Sequence, residues 1–223
     1  MGVAIVIGCS GAIGGAFMQS LGSSAIGFSR HSVPKLDLRD EGSIAAAAAH
    51  VATLGTTPEL IIDATGFLHG EGFSPEKRFA DITPEHLAVS FAINAIGPAL
   101  LMKHFLPLLP RTGRSVFVSL SARVGSIGDN ERGGWYSYRA AKAALNQLIR
   151  TAALELRHKR PDAVCISMHP GTVESPLSAP FAKTGLNVRP PAVAVAQMLH
   201  VIAGLTAADT GKFFAYDGAT LPW

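Results

Sequence analysis

Three glycines at three-residue spacing, Gly8, Gly11 and Gly14, follow the apolar run Val3–Ile7 and open a helical pattern over residues 13–21. A strand that turns at once into a helix needs one residue free to take positive φ. It needs another with no side chain where backbone approaches a ligand, and a third where helix and strand touch. The helix so opened presents unpaired amide N–H groups, a ready site for an anion such as a pyrophosphate. A tightly packed strand–turn–helix uses glycine for the same reasons, so the turn by itself leaves both readings open. Cys9 sits in this turn as a small filler residue.

The rest of the chain narrows the choice. Short β-rich runs at Ala25–Phe28, 60–64, Ser115–Leu120, 164–168 and 212–216 alternate with helical patterns at 43–54, 84–109, 135–158 and 192–205. Such alternation builds an open parallel sheet with helices on both faces. The expectation is a single-domain, Rossmann-type doubly wound α/β fold over residues 1–223. A chain of 223 residues with 48% hydrophobic and 16% charged residues suffices for one full core. Thr83 and Pro84 look like the N-cap and first position of a helix. Pro98 lies inside that helix and is expected to kink it. Between the second strand and Lys35 there is no room for a crossover helix, so the chain is expected to pass directly to an extended piece at residues 36–38. Residues 174–189 are irregular and form a candidate lid.

Several classes are disfavoured. Cys9 and Cys165 give neither a disulfide framework nor zinc spacing, and the eight histidines show no ligand pattern. No metal is expected, and a cytoplasmic setting is the default. The net charge of +3 comes without a Lys/Arg run, which argues against a nucleic-acid partner. Apolar runs are interrupted before a span's length, and the start reads as a strand with no basic leader, so no membrane partner is expected.

An acidic residue about 20 positions beyond the first glycine would bind the adenosine ribose of NAD. Here the segment is Gly27, Phe28, Ser29, Arg30 and His31, with an arginine and no carboxylate. A guanidinium supplies the fork of donors that a 2′-phosphate needs, which favours NADP(H); a solvated surface arginine is the alternative. Tyr138 and Lys142 are four apart on one helix face. An ammonium beside a phenol would lower the phenol's pKa toward the working range of an acid/base.

Together these pieces resemble the classical short-chain dehydrogenase/reductase family over essentially the whole chain. The glycine turn, Asn94 before Gly97 and Pro98, Tyr138 with Lys142, and Pro170-Gly171-Thr172-Val173 occur in the family's order. Residues 121–127, 133–138, 169–173 and 213–223 are similar to its C-factor/sniffer-like carbonyl reductase branch. The resemblance implies that Tyr138 exchanges a proton with the substrate oxygen, Lys142 binds the nicotinamide ribose, and Asn94 holds a relay water. It implies cofactor contacts at Gly8, Ser10, Gly11, Ala12, Ile13 and Gly14, at Ser29 and Arg30, and at Asp37 and Leu38 beside the adenine. Ala64, Thr65 and Gly66 would support the adenosine pocket, and Pro170, Gly171 and Val173 would line the nicotinamide. It also implies a homodimer or homotetramer built on the helices at 84–109 and 135–158.

Three departures stand out. Ala12 replaces the family's second turn glycine, and Asp63 replaces an asparagine. The family ends its central strand with two serines, the second donating to the substrate oxygen; here the pair is Ser121-Ala122. Ser121, Ser126 or no serine then fills the role, with Ser121 favoured if the chain bends there. His169 is expected to be a hydrogen-bonded strand-end residue, since Tyr138 already serves as the acid. The expected reaction is reversible hydride transfer between NADP(H) and a small carbonyl compound or its alcohol. A non-catalytic NADP(H)-binding sensor on the same fold is the alternative, and a nucleotide-sugar epimerase-like enzyme is a more distant third.

Overall fold

The computed structural model describes residues 2–70, 72–181 and 187–223. Six strands, β1 (Val3–Ile7), β2 (Ala25–Phe28), β3 (Pro58–Asp63), β4 (Ser115–Leu120), β5 (Ala163–His169) and β6 (Phe213–Ala215), form one sheet in the order β2-β1-β3-β4-β5-β6. Every neighbouring pair is parallel. Burial on both faces explains why the strands are nearly continuous apolar runs.

The helices are α1 (Ala12–Leu21), α2 (Glu41–Thr53), α3 (Pro84–Phe91), α4 (Gly97–Phe105), α5 (Tyr136–Lys159) and α6 (Pro191–Gly204). The chain steps from β1 to β2 on one side, then returns past β1 to β3. Right-handed crossovers in opposite directions put their helices on opposite faces. Phe17 of α1 and Ala194, Val195, Met198 and Ile202 of α6 bury one face of the sheet. Ile44 and Val51 of α2, Leu101 and Phe105 of α4, and Leu145 and Ile149 of α5 bury the other. The direction of winding reverses at β1, and the carboxyl ends of β1 and β3 face the crevice where ligands bind in such sheets.

The segment between β2 and α2 holds no helix, as its length requires. Nor is it a strand: Leu36 and Leu38 instead drop their side chains into the core. Thr83 caps α3, its hydroxyl accepting from the His86 amide at 3.2 Å. Between α3 and α4 the helix widens into a π-turn at Ala92–Ile96, the Gly97 amide reaching back to Ala92. The disruption expected at Pro98 takes the form of this π-turn just before it. Proline has no N–H to give Asn94, and the wider turn before it absorbs the lost bond. The run Pro84–Leu108 is long and apolar enough to cross a membrane by composition, yet Leu101, Met102 and Phe105 within it are buried in the core.

Candidate active site

A cleft of about 500 Å³ opens at the carboxyl ends of β1, β2 and β3. Of the expected cofactor contacts, Gly8, Ser10, Gly11, Ser29, Arg30, Asp37, Leu38, Ala64, Thr65 and Gly66 all line it. The glycines divide the work. Gly8 turns with φ 85°, and a Cβ there would press on the Ala64 carbonyl at 3.0 Å. Gly14 lets α1 pack on the turn, because a Cβ would overlap the Gly8 carbonyl. Gly11 sits at the N-cap, and no side chain caps the amides of α1 behind it, where Ala12 and Ile13 stand. Ala12 is tolerated because the tight positions fall on either side of it.

Arg30 is exposed at the cleft's edge, and Arg39, to which the sequence reading gave no role, lines the same cleft. Both arginines are exposed and belong to the loop between β2 and α2. Leu38 meets α4 closely: a Cβ on Gly97 would come within 2.6 Å of its Cβ.

At the inner end of the cleft, Asp63 is buried at the end of β3. Its carboxylate accepts from Ser119 Oγ at 2.6 Å, from Thr65 Oγ1 at 2.5 Å and from the Thr65 amide at 3.1 Å. Burial raises its pKa, while these hydrogen bonds pull the other way. Asn94, buried in the π-turn, grips the next loop: its Oδ1 accepts from the Phe67 amide at 3.0 Å and its Nδ2 donates to the Phe67 carbonyl at 2.7 Å. A Cβ on Gly66 would lie 3.7 Å from Asn94 Oδ1 and 4.0 Å from Lys142 Nζ. The loop after β3, the π-turn and α5 therefore converge on one point of the cleft.

Lys142 is buried, and its Nζ donates to the Leu120 carbonyl at 2.8 Å. Burial lowers its pKa to about 8, with the Asp63 charge opposing. Its Nζ lies 6.0 Å from the centroid of the Tyr138 ring. Tyr138 is half-buried, and burial raises its pKa above the ordinary phenol value. The expected lowering by Lys142 is thus reversed in the protein alone, where burial outweighs the distant cation.

The serines are placed as follows. Ser121 continues the β4 ladder, its amide donating to the Met168 carbonyl at 2.8 Å, and Ala122 is also extended. No bulge intervenes, so alternation puts Ser121 on the same side as Phe117 and Ser119, facing α5. Its hydroxyl is buried without a hydrogen-bond partner among the described residues. Ser126 accepts from the Asp129 amide at 3.1 Å and lines a second cleft with Tyr136 and Arg139. Ala122 is half-buried.

Beyond β5, Val173 is buried and Gly171 takes φ 74°. A Cβ on Gly171 would overlap the guanidinium of Arg189, a residue read only as the end of the lid. Arg189 is itself buried, donating to the Pro170 carbonyl at 2.9 Å and to Gln197 at 2.8 Å, and stacking 3.2 Å above the Tyr216 ring. Val173 and Arg189 pair as a parallel bridge, so the two ends of 174–189 are joined at its neck. Part of this candidate lid, residues 182–186, lies outside the described residues. The described part crosses toward the site: His69 Nε2 is 3.2 Å from the Pro176 and Leu177 carbonyls, and Phe181 lies edge-on between His69 and Trp135. Trp135 in turn meets the Tyr138 ring at 6.3 Å. His169 departs from expectation: its Nδ1 is buried with no hydrogen-bond partner among the described residues. Burial, then the Arg189 and Arg123 charges, push its pKa down to about 4.

A crevice at the switch point, a glycine turn and a helix N-terminus define a dinucleotide-binding α/β protein. Comparison with known proteins narrows this. A family model described as enoyl-(acyl carrier protein) reductase matches residues 16–215. C-signal of Myxococcus xanthus is 35% identical over 144 residues, covering 64% of this chain and 82% of that protein. The carbonyl reductase Sniffer of D. melanogaster superposes with a TM-score of 0.86 at 21% identity over 100% of both chains. The NADPH-bound carbonyl reductase from chicken fatty liver does so with 0.86 at 24%, again over 100% of both. The alignments span 82% of the first curated relative and 56% of the second, an oxidoreductase of Schizosaccharomyces pombe. The chain belongs to the short-chain dehydrogenase/reductase family of oxidoreductases.

Proposed function

We propose that the protein is an NADP(H)-dependent reductase of small carbonyl compounds, running reversibly to the alcohol, with Tyr138 as the acid/base. The observation that carries the reading is the convergence of Asn94 and Lys142 on Gly66, where the cleft meets the helix bearing Tyr138. The cleft fits the cofactor: the tight Gly8 turn and uncapped α1 amides suit a pyrophosphate, and Arg30 with Arg39 suits a 2′-phosphate. The NADPH-bound relative from chicken supports the same choice. Pro170, Gly171 and Val173 would hold the nicotinamide end, Asp37 and Leu38 the adenine.

Bound there, NADPH supplies the hydride. At neutral pH the Tyr138 phenol carries its proton and would deliver it to the substrate oxygen as charge grows there; the raised pKa that burial gives it in the protein alone works against that transfer. Lys142, with a pKa of about 8, is poised to hold or release a proton near neutrality. Asn94 fixes the π-turn to the Phe67 loop and would hold a water for the relay. Ser121 Oγ is buried without a hydrogen-bond partner among the described residues, and Ala122, at the family's serine position, has no hydroxyl; we assign Tyr138 no serine partner. This reading extends to a cytoplasmic setting and to self-association on α5, where Tyr136, Leu148 and Leu154 are exposed.

Ala122 at the family's serine position is also what favours the second reading, an NADP(H)-binding sensor. A panel of ketones, aldehydes and quinones, with NADPH consumption followed by absorbance and NADPH binding by fluorescence, separates the two. Turnover supports the reductase, and binding without turnover supports the sensor.

A further inference from the structure

The helix that carries Tyr138 begins without a cap of its own. Trp135 holds its N-cap position at φ 55° and ψ 42°, and no N-cap side chain accepts from the first-turn amides. A buried helix start needs partners for those amides. They come from the loop before α3. The buried Glu76 carboxylate accepts the Ser137 amide at 3.3 and 3.2 Å, and its Oε1 also accepts the Ser137 hydroxyl. His86 Nδ1 lies 3.0 Å from the same oxygen, and the Glu76 carbonyl accepts the Trp135 amide at 2.5 Å.

The network does not end at the cap. The Ser137 carbonyl accepts from Ser90 Oγ at 3.1 Å, and Ser90 Oγ accepts from Asn94 Nδ2 at 3.3 Å. Glu76, His86, Ser90, Asn94 and Ser137 are each no more than 4% exposed. A continuous buried chain of hydrogen bonds thus runs from Glu76 to Asn94, through the residue immediately before Tyr138. Buried, fully partnered polar chains fix one arrangement more sharply than apolar packing does.

We propose that Glu76, Ser137 and Ser90 are positioning residues that set the Tyr138 phenol in register with Asn94; this rests on the reductase reading above. None of them is assigned contact with substrate. Ser90 gives the cleanest test. Without its hydroxyl, Asn94 Nδ2 keeps its 2.7 Å bond to the Phe67 carbonyl, so the loss falls mainly on the link to Ser137.

The experiment compares wild type, Ser90→Ala, Ser90→Thr and Glu76→Gln on one ketone that the wild type reduces, measuring kcat, KM, NADPH affinity and thermal midpoint. Misplacing a reacting group by a fraction of an ångström is expected to lower kcat of Ser90→Ala roughly tenfold to a hundredfold, with KM and NADPH affinity within about twofold. Ser90→Thr, which keeps the hydroxyl, recovers most of the loss, and Glu76→Gln falls in the same direction. If Glu76→Gln fails to fold, the serine pair carries the test. A kcat for Ser90→Ala equal to wild type overturns the inference alone, as does a loss confined to KM and the thermal midpoint. Absence of turnover in the wild type overturns the reductase reading and the inference with it.

Discussion

At the scale of single residues, charge and burial decide most of what is testable. Arg30 is exposed at the cleft edge where NAD-binding relatives of this fold would carry a carboxylate. Exchanging it for aspartate removes a charge-assisted contact and adds a repulsion. NADPH preference over NADH should fall by roughly tenfold to a hundredfold, read from the two dissociation constants. Equal affinities in the wild type would remove the basis for the assignment. His169 makes a pH prediction. Its pKa lies near 4 in the fold against an ordinary 6.5, because burial and two nearby arginines disfavour its cation. Below pH 6.5 the unfolded chain takes up a proton that the folded chain refuses, so stability falls as pH drops from 6.5 toward 4. The contribution is on the order of 3 kcal/mol. Urea unfolding of His169→Gln should therefore show a shallower loss over that window than wild type; parallel curves would show that His169 is not held neutral.

At the scale of elements, the alternation of β4 governs the serine question. Ser121 faces α5 with its hydroxyl covered, and Ala122 faces the opposite way without a bulge between them. Ser121→Ala should leave kcat within about threefold of wild type, whereas Ala122→Ser should raise it, as a second donor to a developing oxyanion does. A hundredfold loss in Ser121→Ala would place its hydroxyl in the reaction and overturn the assignment of no serine partner. The elements themselves were largely legible from the sequence. β1, β2 and β4 have the bounds that their β-rich runs predict, because glycines and polar residues mark the ends sharply. The helix at 84–109 was visible, but its π-turn was not. Pro98 signals a lost hydrogen bond without saying whether the helix bends or widens in response. The glycine turn, Asn94, Tyr138 and Lys142 could be found because their spacing is local. Arg39, His69, Glu76 and Arg189 could not. Each is a polar residue in a loop and belongs to no local spacing pattern, and only the closure of the sheet brings it to the site.

At the scale of the whole molecule, the sheet order explains why residues from the two halves of the chain meet. The reversal of winding at β1 opens the crevice on the glycine turn, and the long α5, capped by Glu76 from 61 residues upstream, brings Lys142 Nζ to within 4.0 Å of a Cβ built on Gly66 in the cleft. The bridge between Val173 and Arg189 joins the two ends of the segment that follows β5. The central claim is that this assembly reduces a carbonyl compound through Tyr138. The most direct measurement is NADPH oxidation by the wild type and by Tyr138→Phe across a carbonyl panel, with NADPH affinity measured on both. Phenylalanine keeps the ring and removes only the proton donor. The account predicts turnover in the wild type, a loss of roughly 10²–10⁴ in kcat for the variant, and equal NADPH affinity in both. Turnover in Tyr138→Phe at the wild-type rate would contradict it.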